Sequence, residues 1–393
     1  MKSPSNVQVS KKTALLSESV IREMTRLADL HGAINLAQGF PDFAAPAKVK
    51  AAAIKAIEGD INQYAVTWGS PKLRRAISEK ARWFNGIDSH PDKNVTVTCG
   101  STEAMMASVM ALADSGDEVV MFEPAYENYA PSTILAGAKP RPVPLGPDFA
   151  LDEEALKAAF NQRTKLVIVN TPHNPSGKVL DKAELKMIAD LCEDNDAIAV
   201  TDEIYEHILY DGRTHVSLAT LGGMADRTVT ISGISKTYTA TGWRVGYAIA
   251  AEPITNAIRK VHDYMTVCAP APLQEAAAYA LGLPRSFYGD LASAYQRKRD
   301  FMVENLRDIG FEFFTPEGSY YILADFGNLN TLGDTKFATS MTIDCGVAVV
   351  PGSSFYSGGR KGATQVRFSY SKKDSTLKQA VDKMKAFFLP TRK

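Results

Sequence analysis

The stretch 228-TVTISGISKTYTATGWRVGYAIA-250 decides how the rest of the chain is read. Two β-branched and apolar runs, 228-TVTISG-233 and 244-RVGYAIA-250, flank a polar segment of small residues around Lys236. Working outward, comparable runs recur at 95-VTVT-98, 118-EVVMF-122, 140-PRPVPL-145, 165-KLVIVN-170 and 197-AIAVTDE-203, separated by helical or polar stretches. Several are apolar throughout rather than alternating, as strands covered on both faces must be. About seven such strands with helical crossovers predict an α/β fold, a mostly parallel sheet sandwiched by helices. In such a sheet the chemistry gathers just beyond the carboxyl ends of the strands.

The remaining segments read differently. A long charged helix pattern, 286-SFYGDLASAYQRKRDFMVENLRDIG-310, precedes strand-like runs at 311-FEFFT-315, 319-SYYILADF-326 and 365-QVRFSY-370 and a closing helix from Leu377 to Phe388. The N-terminal segment offers one helical stretch, Ser17 to His31, and no core of its own. The expected organisation is a large domain over 46–285 and a smaller α+β domain built from 1–45 and 286–393.

Composition narrows the function. Lys plus Arg total 44 and Asp plus Glu total 44, scattered rather than in blocks, which argues against nucleic-acid and membrane-surface partners because both need a positive field. With 45% hydrophobic and 22% charged residues the chain is long enough and apolar enough for sizeable cores. Cys99, Cys192, Cys268 and Cys345 lie far apart, without CxxC or Cys/His clustering, so neither a disulfide framework nor a zinc site is expected. Met1 to Ser10 carries Lys2 but no apolar core after it, and no run reaches the ~18 apolar residues of a membrane span. The expected setting is cytoplasmic.

Four motifs carry chemistry. Lys236, flanked by Ser235 and Thr237 with Arg244 eight residues on, has the small neighbours that let an amine approach an aldehyde while hydroxyls and Arg244 hold an anion. In 170-NTPHNPSGKVL-180, directly after a strand, Asn174 offers a side-chain donor within a Pro-Gly turn. In 201-TDEIYEHILY-210, Asp202 stands at a strand end, able to pair with a ring N–H cation, with Tyr205 three residues on. In 99-CGSTEAMMASVMAL-112, Ser101 and Thr102 open a helix whose backbone N–H groups can cradle a phosphate. Taken singly, each also reads as an ordinary turn or helix cap.

Together, in order, these motifs resemble the class I, fold type I pyridoxal-phosphate-dependent aminotransferases. Within them, 35-NLAQGFPDFAAP-46 and 62-NQYAVTWGSPKLRRAI-77 look like the kynurenine, glutamine and methionine aminotransferase branch. The resemblance runs from about residue 20 to 370. It implies that Lys236 forms the Schiff base with pyridoxal 5'-phosphate (PLP) and then shuttles the α-proton, and that Asp202 keeps the pyridine nitrogen protonated. Tyr205 and Asn174 would hydrogen-bond the phenolic oxygen, and Tyr126, in 123-EPAYENY-129, would stack on the ring. Ser101, Thr102, Ser235 and Arg244 would hold the phosphate, joined by Tyr64 from the neighbouring subunit of a homodimer with shared active sites. Arg367, in 365-QVRFSY-370, would grip the substrate α-carboxylate, helped by Asn174 and the Gly39 N–H.

The resemblance weakens at the side-chain pocket. No basic residue stands at Thr102, where some relatives bind a distal carboxylate, so a dedicated dicarboxylate pocket, and aspartate aminotransferase with it, is disfavoured. Ile21, Val267 and Cys268 replace the Trp and Phe-His of the aromatic-pocket members, leaving an apolar, neutral pocket with Tyr126. The expected reaction is ping-pong transfer from a neutral amino acid (methionine, glutamine or an aromatic) to a 2-oxo acid such as 2-oxoglutarate or pyruvate. Its rivals are a PLP-dependent carbon–sulfur β-lyase and a non-catalytic PLP-binding regulator; the regulator would need a winged-helix head, for which the residues before Asn35 are too few. No histidine has metal-site spacing; His173, beside Asn174, is the one to watch.

Overall fold

A computed structural model describes residues 9–358 and 361–389. Most of the Met1–Ser10 segment and residues 390–393 of the expected small domain lie outside the described residues.

The apolar runs form one seven-stranded sheet: β1 (Val95–Thr98), β2 (Glu118–Glu123), β3 (Lys139–Pro144), β4 (Thr164–Asn170), β5 (Ile198–Asp202), β6 (Thr228–Gly233) and β7 (Gly246–Ile249). Their order is β1-β7-β6-β5-β4-β2-β3. All neighbours are parallel except β7, which runs antiparallel to both β1 and β6. Unbroken apolarity is explained by two coats. On one face Val119, Met121, Leu166, Ile168, Val200 and Val229 pack with Ala104 and Ala107 of the helix Ser101–Leu112. On the other, Val120, Phe122, Val167, Val169 and Ala199 pack with Leu185 and Ile188 of the helix Lys182–Asp194. Residues one apart thus face opposite cores, the period-two alternation of a strand.

The C-terminal segment builds a four-stranded antiparallel sheet from β8 (Glu312–Phe313), β9 (Tyr321–Asp325), β10 (Val350–Pro351) and β11 (Gln365–Ser369), in the order β10-β11-β9-β8. The expected strand over 311–315 shrinks to two residues. Pro316 has no N–H for a ladder, and the chain there turns to set Gly318 beside Leu209. The long helix spans Arg285–Ile309 and the closing helix Asp374–Phe388. From the N-terminal side, α1 (Val20–His31) starts at an N-cap Ser19 and ends at Gly32, whose φ of 59° suits glycine. It buries Ile21, Met24 and Ala28 against the same core as Phe326, Phe337 and Phe368, so the chain's two ends share one hydrophobic cluster. Ile34 and Asn35 also pair, in parallel, with Val347 and Ala348. Among the described residues no helix is long and apolar enough to cross a membrane.

Candidate active site

Register brings the motifs together. Asn170 pairs with Asp202 across β4 and β5, and Asp202 with Ile231 across β5 and β6, so three motif-bearing loops leave the sheet side by side. They open into a cavity of about 180 Å³ where the C-terminal sheet and α1 meet the large sheet.

Lys236 lies on its floor. Its Nζ donates to the Gly39 carbonyl at 3.2 Å, and burial pushes the amine below its usual range. Asp202 lines the same cavity; burial raises its carboxyl, against the pull of Tyr129 Oη, which donates to Oδ2 at 2.8 Å, and of the Lys236 charge. A buried carboxylate with one side-chain donor is poised to take a cationic partner.

The anion cradle is built by glycines. Gly100, at φ +85°, caps the helix Ser101–Leu112 with no side chain, leaving its first N–H groups and the Ser101 and Thr102 side chains at the cavity. A Cβ at Gly100 would run into the Arg244 guanidinium, and one at Gly246 into the Gly100–Ser101 backbone. Arg244 is held there by Nη1 to the Thr241 carbonyl at 3.0 Å and Nη2 to the Cys99 carbonyl at 3.4 Å. Ser235 completes the rim. A helix N-terminus with an arginine and hydroxyls is a phosphate site.

Opposite, Arg367 is only 1% exposed. Its guanidinium stands 4.3 Å from the Tyr321 ring centroid and 5.0 Å from that of Phe355. Nη1 donates to Asn174 Oδ1 at 2.8 Å, Nη2 to the Ala37 carbonyl at 2.7 Å, and Nε has no partner. A buried guanidinium lining the cavity, with Asn174 beside it, is built for a bound carboxylate. Tyr126 and Ile21 complete the wall, and burial pushes the Tyr126 phenol up to about 12.

These side chains therefore offer a phosphate cradle, a carboxylate for a ring cation, a buried amine and a carboxylate clamp, a donor set that fits PLP plus an amino acid. The chain also matches the family of class I and II aminotransferases over residues 31–384. It belongs to that family. It is a PLP-dependent aminotransferase, near the methionine and kynurenine aminotransferase branch. The probable N-succinyldiaminopimelate aminotransferase of Mycobacterium tuberculosis is 39% identical over 93% of this chain and 95% of its own length. Methionine aminotransferase of Escherichia coli is 36% identical over 95% of this chain and 97% of its own. A solved structure of the M. tuberculosis N-succinyldiaminopimelate aminotransferase superposes with a TM-score of 0.93 at 38% identity, covering 96% of this chain and 99% of that one.

For this aminotransferase the sequence reading needs correction at the pocket. Val267 and Cys268 do not line the cavity of the single chain, whereas Tyr64, expected to reach a neighbouring subunit's site, is 83% exposed. Tyr205 and Gly39 do line the cavity, Tyr205 with its hydroxyl 3.0 Å from that of Tyr321 and Gly39 with its carbonyl accepting from Lys236 and Tyr320. The pocket is not purely apolar: Ser19, Arg22, Gln38 and Glu127 also line it. Sequence reasoning missed Tyr129 and Asn170 as well. Tyr129, three residues after Tyr126 in 123-EPAYENY-129, opens the helix Tyr129–Ala136. Asn170 is the last strand residue before its motif; its amide donates to the Asp202 carbonyl and its Oδ1 accepts from the Asn174 N–H, each at 2.8 Å. His173 turns away to Ser176 Oγ at 2.7 Å, and burial drops its pKa to about 4.

Glu203, Glu206 and His215 place ligand atoms within 4.8 Å of one another. The Lys80 ammonium, 2.5 Å from Glu206 Oε1, already supplies positive charge there.

Proposed function

We propose that this aminotransferase moves the amino group of a neutral L-amino acid to a 2-oxo acid by a ping-pong mechanism. The observation that carries the reading is the convergence of Lys236, Asp202, Arg244 and Arg367 on one cavity. PLP, when bound, supplies an aldehyde that condenses with amines and a protonated ring that withdraws electrons from the substrate Cα. Burial lowers the Lys236 amine below its usual range, which favours the neutral form, and with PLP bound Lys236 would be the residue that holds the cofactor's aldehyde carbon and whose Nζ takes and returns the proton at the substrate Cα. Asp202 holds the proton on the ring nitrogen, with Tyr129 and the Ile204 N–H fixing its two oxygens. Ser101, Thr102, Ser235 and Arg244 hold the phosphate. Asn174 and Tyr205, which line the cavity, would hydrogen-bond the phenolic oxygen, and Tyr126 would stack on the ring. Arg367 clamps the α-carboxylate with Asn174 beside it and Gly39 nearby, which orients the Cα–H bond toward Lys236. Ile21 and Tyr126 offer apolar surface to a neutral side chain.

In this reading residues 46–285 form the cofactor-binding domain, and 1–45 with 286–393 form the smaller domain, which closes over substrate to exclude water. A homodimer with shared sites is supported by the exposed apolar side chains Ile61, Tyr64, Val66 and Trp68. Tyr64 would enter the partner's phosphate site. All four cysteines are free thiols, which supports a reducing, cytoplasmic setting.

The test is the absorption spectrum of the PLP-loaded protein titrated with single amino acids and no oxo acid. A neutral amino acid should convert the cofactor to its amine form once, and then stop. Continuous release of pyruvate and ammonia from a cysteine conjugate would make it a β-lyase instead. No spectral change with any amino acid overturns the reading.

A further inference from the structure

Residues 36–42 touch both ends of the reaction site. The Gly39 carbonyl accepts from Lys236 Nζ at 3.2 Å and from Tyr320 Oη at 2.8 Å, and the Ala37 carbonyl accepts from Arg367 Nη2 at 2.7 Å. Tolerance is small, because a Cβ at Gly39 would overlap the Tyr321 hydroxyl. Yet the segment belongs to no helix or strand, so its place is set by what it is tied to. Its ends are held by β11 and the turn after it. The Ser369 N–H donates to the Leu36 carbonyl at 2.8 Å, and the Asp42 carboxylate accepts from the Lys373 N–H and the Thr376 hydroxyl, each at 2.6 Å. Lys372 stands between these anchors and is only 3% exposed. Its Nζ donates to the Phe40 carbonyl at 2.8 Å and to the Gln38 carbonyl at 3.4 Å, straddling Gly39, and lies 4.6 Å from the Phe40 ring centroid. Among the described residues it has no ion pair. Taking an ammonium out of water for two carbonyls and an aromatic face is costly, and fixing this loop is what the cost achieves.

We propose that Lys372 is a positioning residue for transamination: its ammonium clamps the chain on both sides of Gly39 and so sets the loop against which Lys236 and Arg367 are placed. The inference rests on the aminotransferase reading above and adds to it a residue that acts through the loop rather than on substrate. The charged group that faces Lys372 from the loop is Asp42; on its own turn it is followed by Lys373 and by Asp374, which pairs with Lys298. Burial pushes the Lys372 amine down to about 8, against the pull of Asp42. The other ties of the loop depend on backbone groups, on Thr376 and on an arginine that stays charged, so Lys372 is the donor whose strength changes in the working pH range. Below pH 8 the clamp carries its charge; as pH rises through 8 it keeps only weaker neutral hydrogen bonds, the contact with the Phe40 ring loses its attraction, and the grip on substrate weakens.

The experiment is steady-state kinetics of PLP-loaded wild type, Lys372→Met and Lys372→Arg with methionine and with phenylalanine, from below to above pH 8, joined to hydrogen exchange at the amides of residues 36–42. At neutral pH Lys372→Met should raise KM about 10- to 100-fold, the weight of one charge-assisted contact, with a much smaller change in kcat. Lys372→Arg should recover most of that loss, and because arginine keeps its proton its KM should stay flat through pH 8, where that of wild type climbs. Exchange at residues 36–42 should be faster in Lys372→Met than in wild type at the same pH. A KM within about twofold of wild type in Lys372→Met overturns the proposal, as does a loss carried by kcat alone. The same climb above pH 8 in Lys372→Arg, or unaltered exchange in Lys372→Met, also overturns it. Wild type inert to every amino acid would sink the aminotransferase reading, while the exchange measurement would still decide whether Lys372 clamps the loop.

Discussion

Asp202 and Glu203 are adjacent, both buried, and lead opposite lives. Asp202 faces the cavity, where among the described residues Tyr129 is its only side-chain donor and burial raises its carboxyl. Glu203 points to the other side of the sheet, into a packed polar cluster. There His215 Nε2 and Ser217 Oγ each lie 2.6 Å from its Oε2, Asn85 Nδ2 at 3.2 Å, and Thr201 Oγ1 donates to Oε1 at 3.0 Å. Glu206, one turn on, takes Lys80 and the Ser232 hydroxyl, each at 2.5 Å, and the Asn85 amide at 2.8 Å. Burial alone would raise Glu206, but Lys80 and the neighbouring histidines outweigh it and hold the carboxyl at about 2. The carboxylate of Asp202 keeps accepting capacity at the cavity, while those of Glu203 and Glu206 are saturated by donors of the scaffold, even though His215 Nδ1 and both nitrogens of nearby His207 are left without partners.

Four substitutions break or sharpen that contrast. Lys236→Ala should lower turnover by about 10⁴-fold or more, since nucleophile and proton carrier are lost together, and should leave urea unfolding of the apo form unshifted or later. A rate within tenfold of wild type would erase the cavity's claim to be the active side.

On the other side of the sheet, Lys80→Met leaves Glu206 buried without its cation. It should cost about 3–5 kcal/mol of stability by denaturant titration. Turnover per folded, PLP-loaded molecule should stay near wild type; a selective loss of kcat would mean the cluster is more than scaffold.

Asp202→Asn should reduce kcat by about 10²- to 10³-fold with the fold intact, because an amide cannot neutralise a ring cation. Stopped-flow measurement of the half-reaction checks it, and an unaltered rate would assign the ring proton to another group.

The smallest effect concerns His207, packed between Phe84 and Tyr288 at ring distances of 3.9 and 4.2 Å with both nitrogens unpartnered. Burial, aided by the Lys80 charge, drops its pKa from 6.5 to about 3. The unfolded chain therefore takes up this proton as pH falls below about 6.5 while the folded chain resists until about 3, so stability present above 6.5 is lost across that window. His207→Phe should flatten the denaturation midpoint against pH there, with buried His173 keeping a residual slope. An unchanged pH profile would show that His207 is not buried neutral.

Much of this was legible beforehand because it is local. The unbroken apolarity of 165-KLVIVN-170 and 197-AIAVTDE-203 requires strands with two covered faces, and the small residues around Lys236 and at 99-CGST-102 require close approach to a ligand. Their order along the chain identified the family and the cofactor. What the chain could not declare locally depends on pairs far apart in sequence. Tyr129 meets Asp202 only because the helix Tyr129–Ala136 packs over the sheet end, and Arg367 meets Asn174 across 193 positions because the C-terminal sheet docks there. Arg22 reads as one more polar residue of an amphipathic helix until α1 is placed at the mouth of the cavity. Sequence alone determined which residue types each strand and turn must carry, since backbone sterics and burial act over a few residues. Only the tertiary structure decided which polar groups are spent on one another and which are left open for substrate, because hydrogen-bond satisfaction depends on what the folded chain brings within 3 Å.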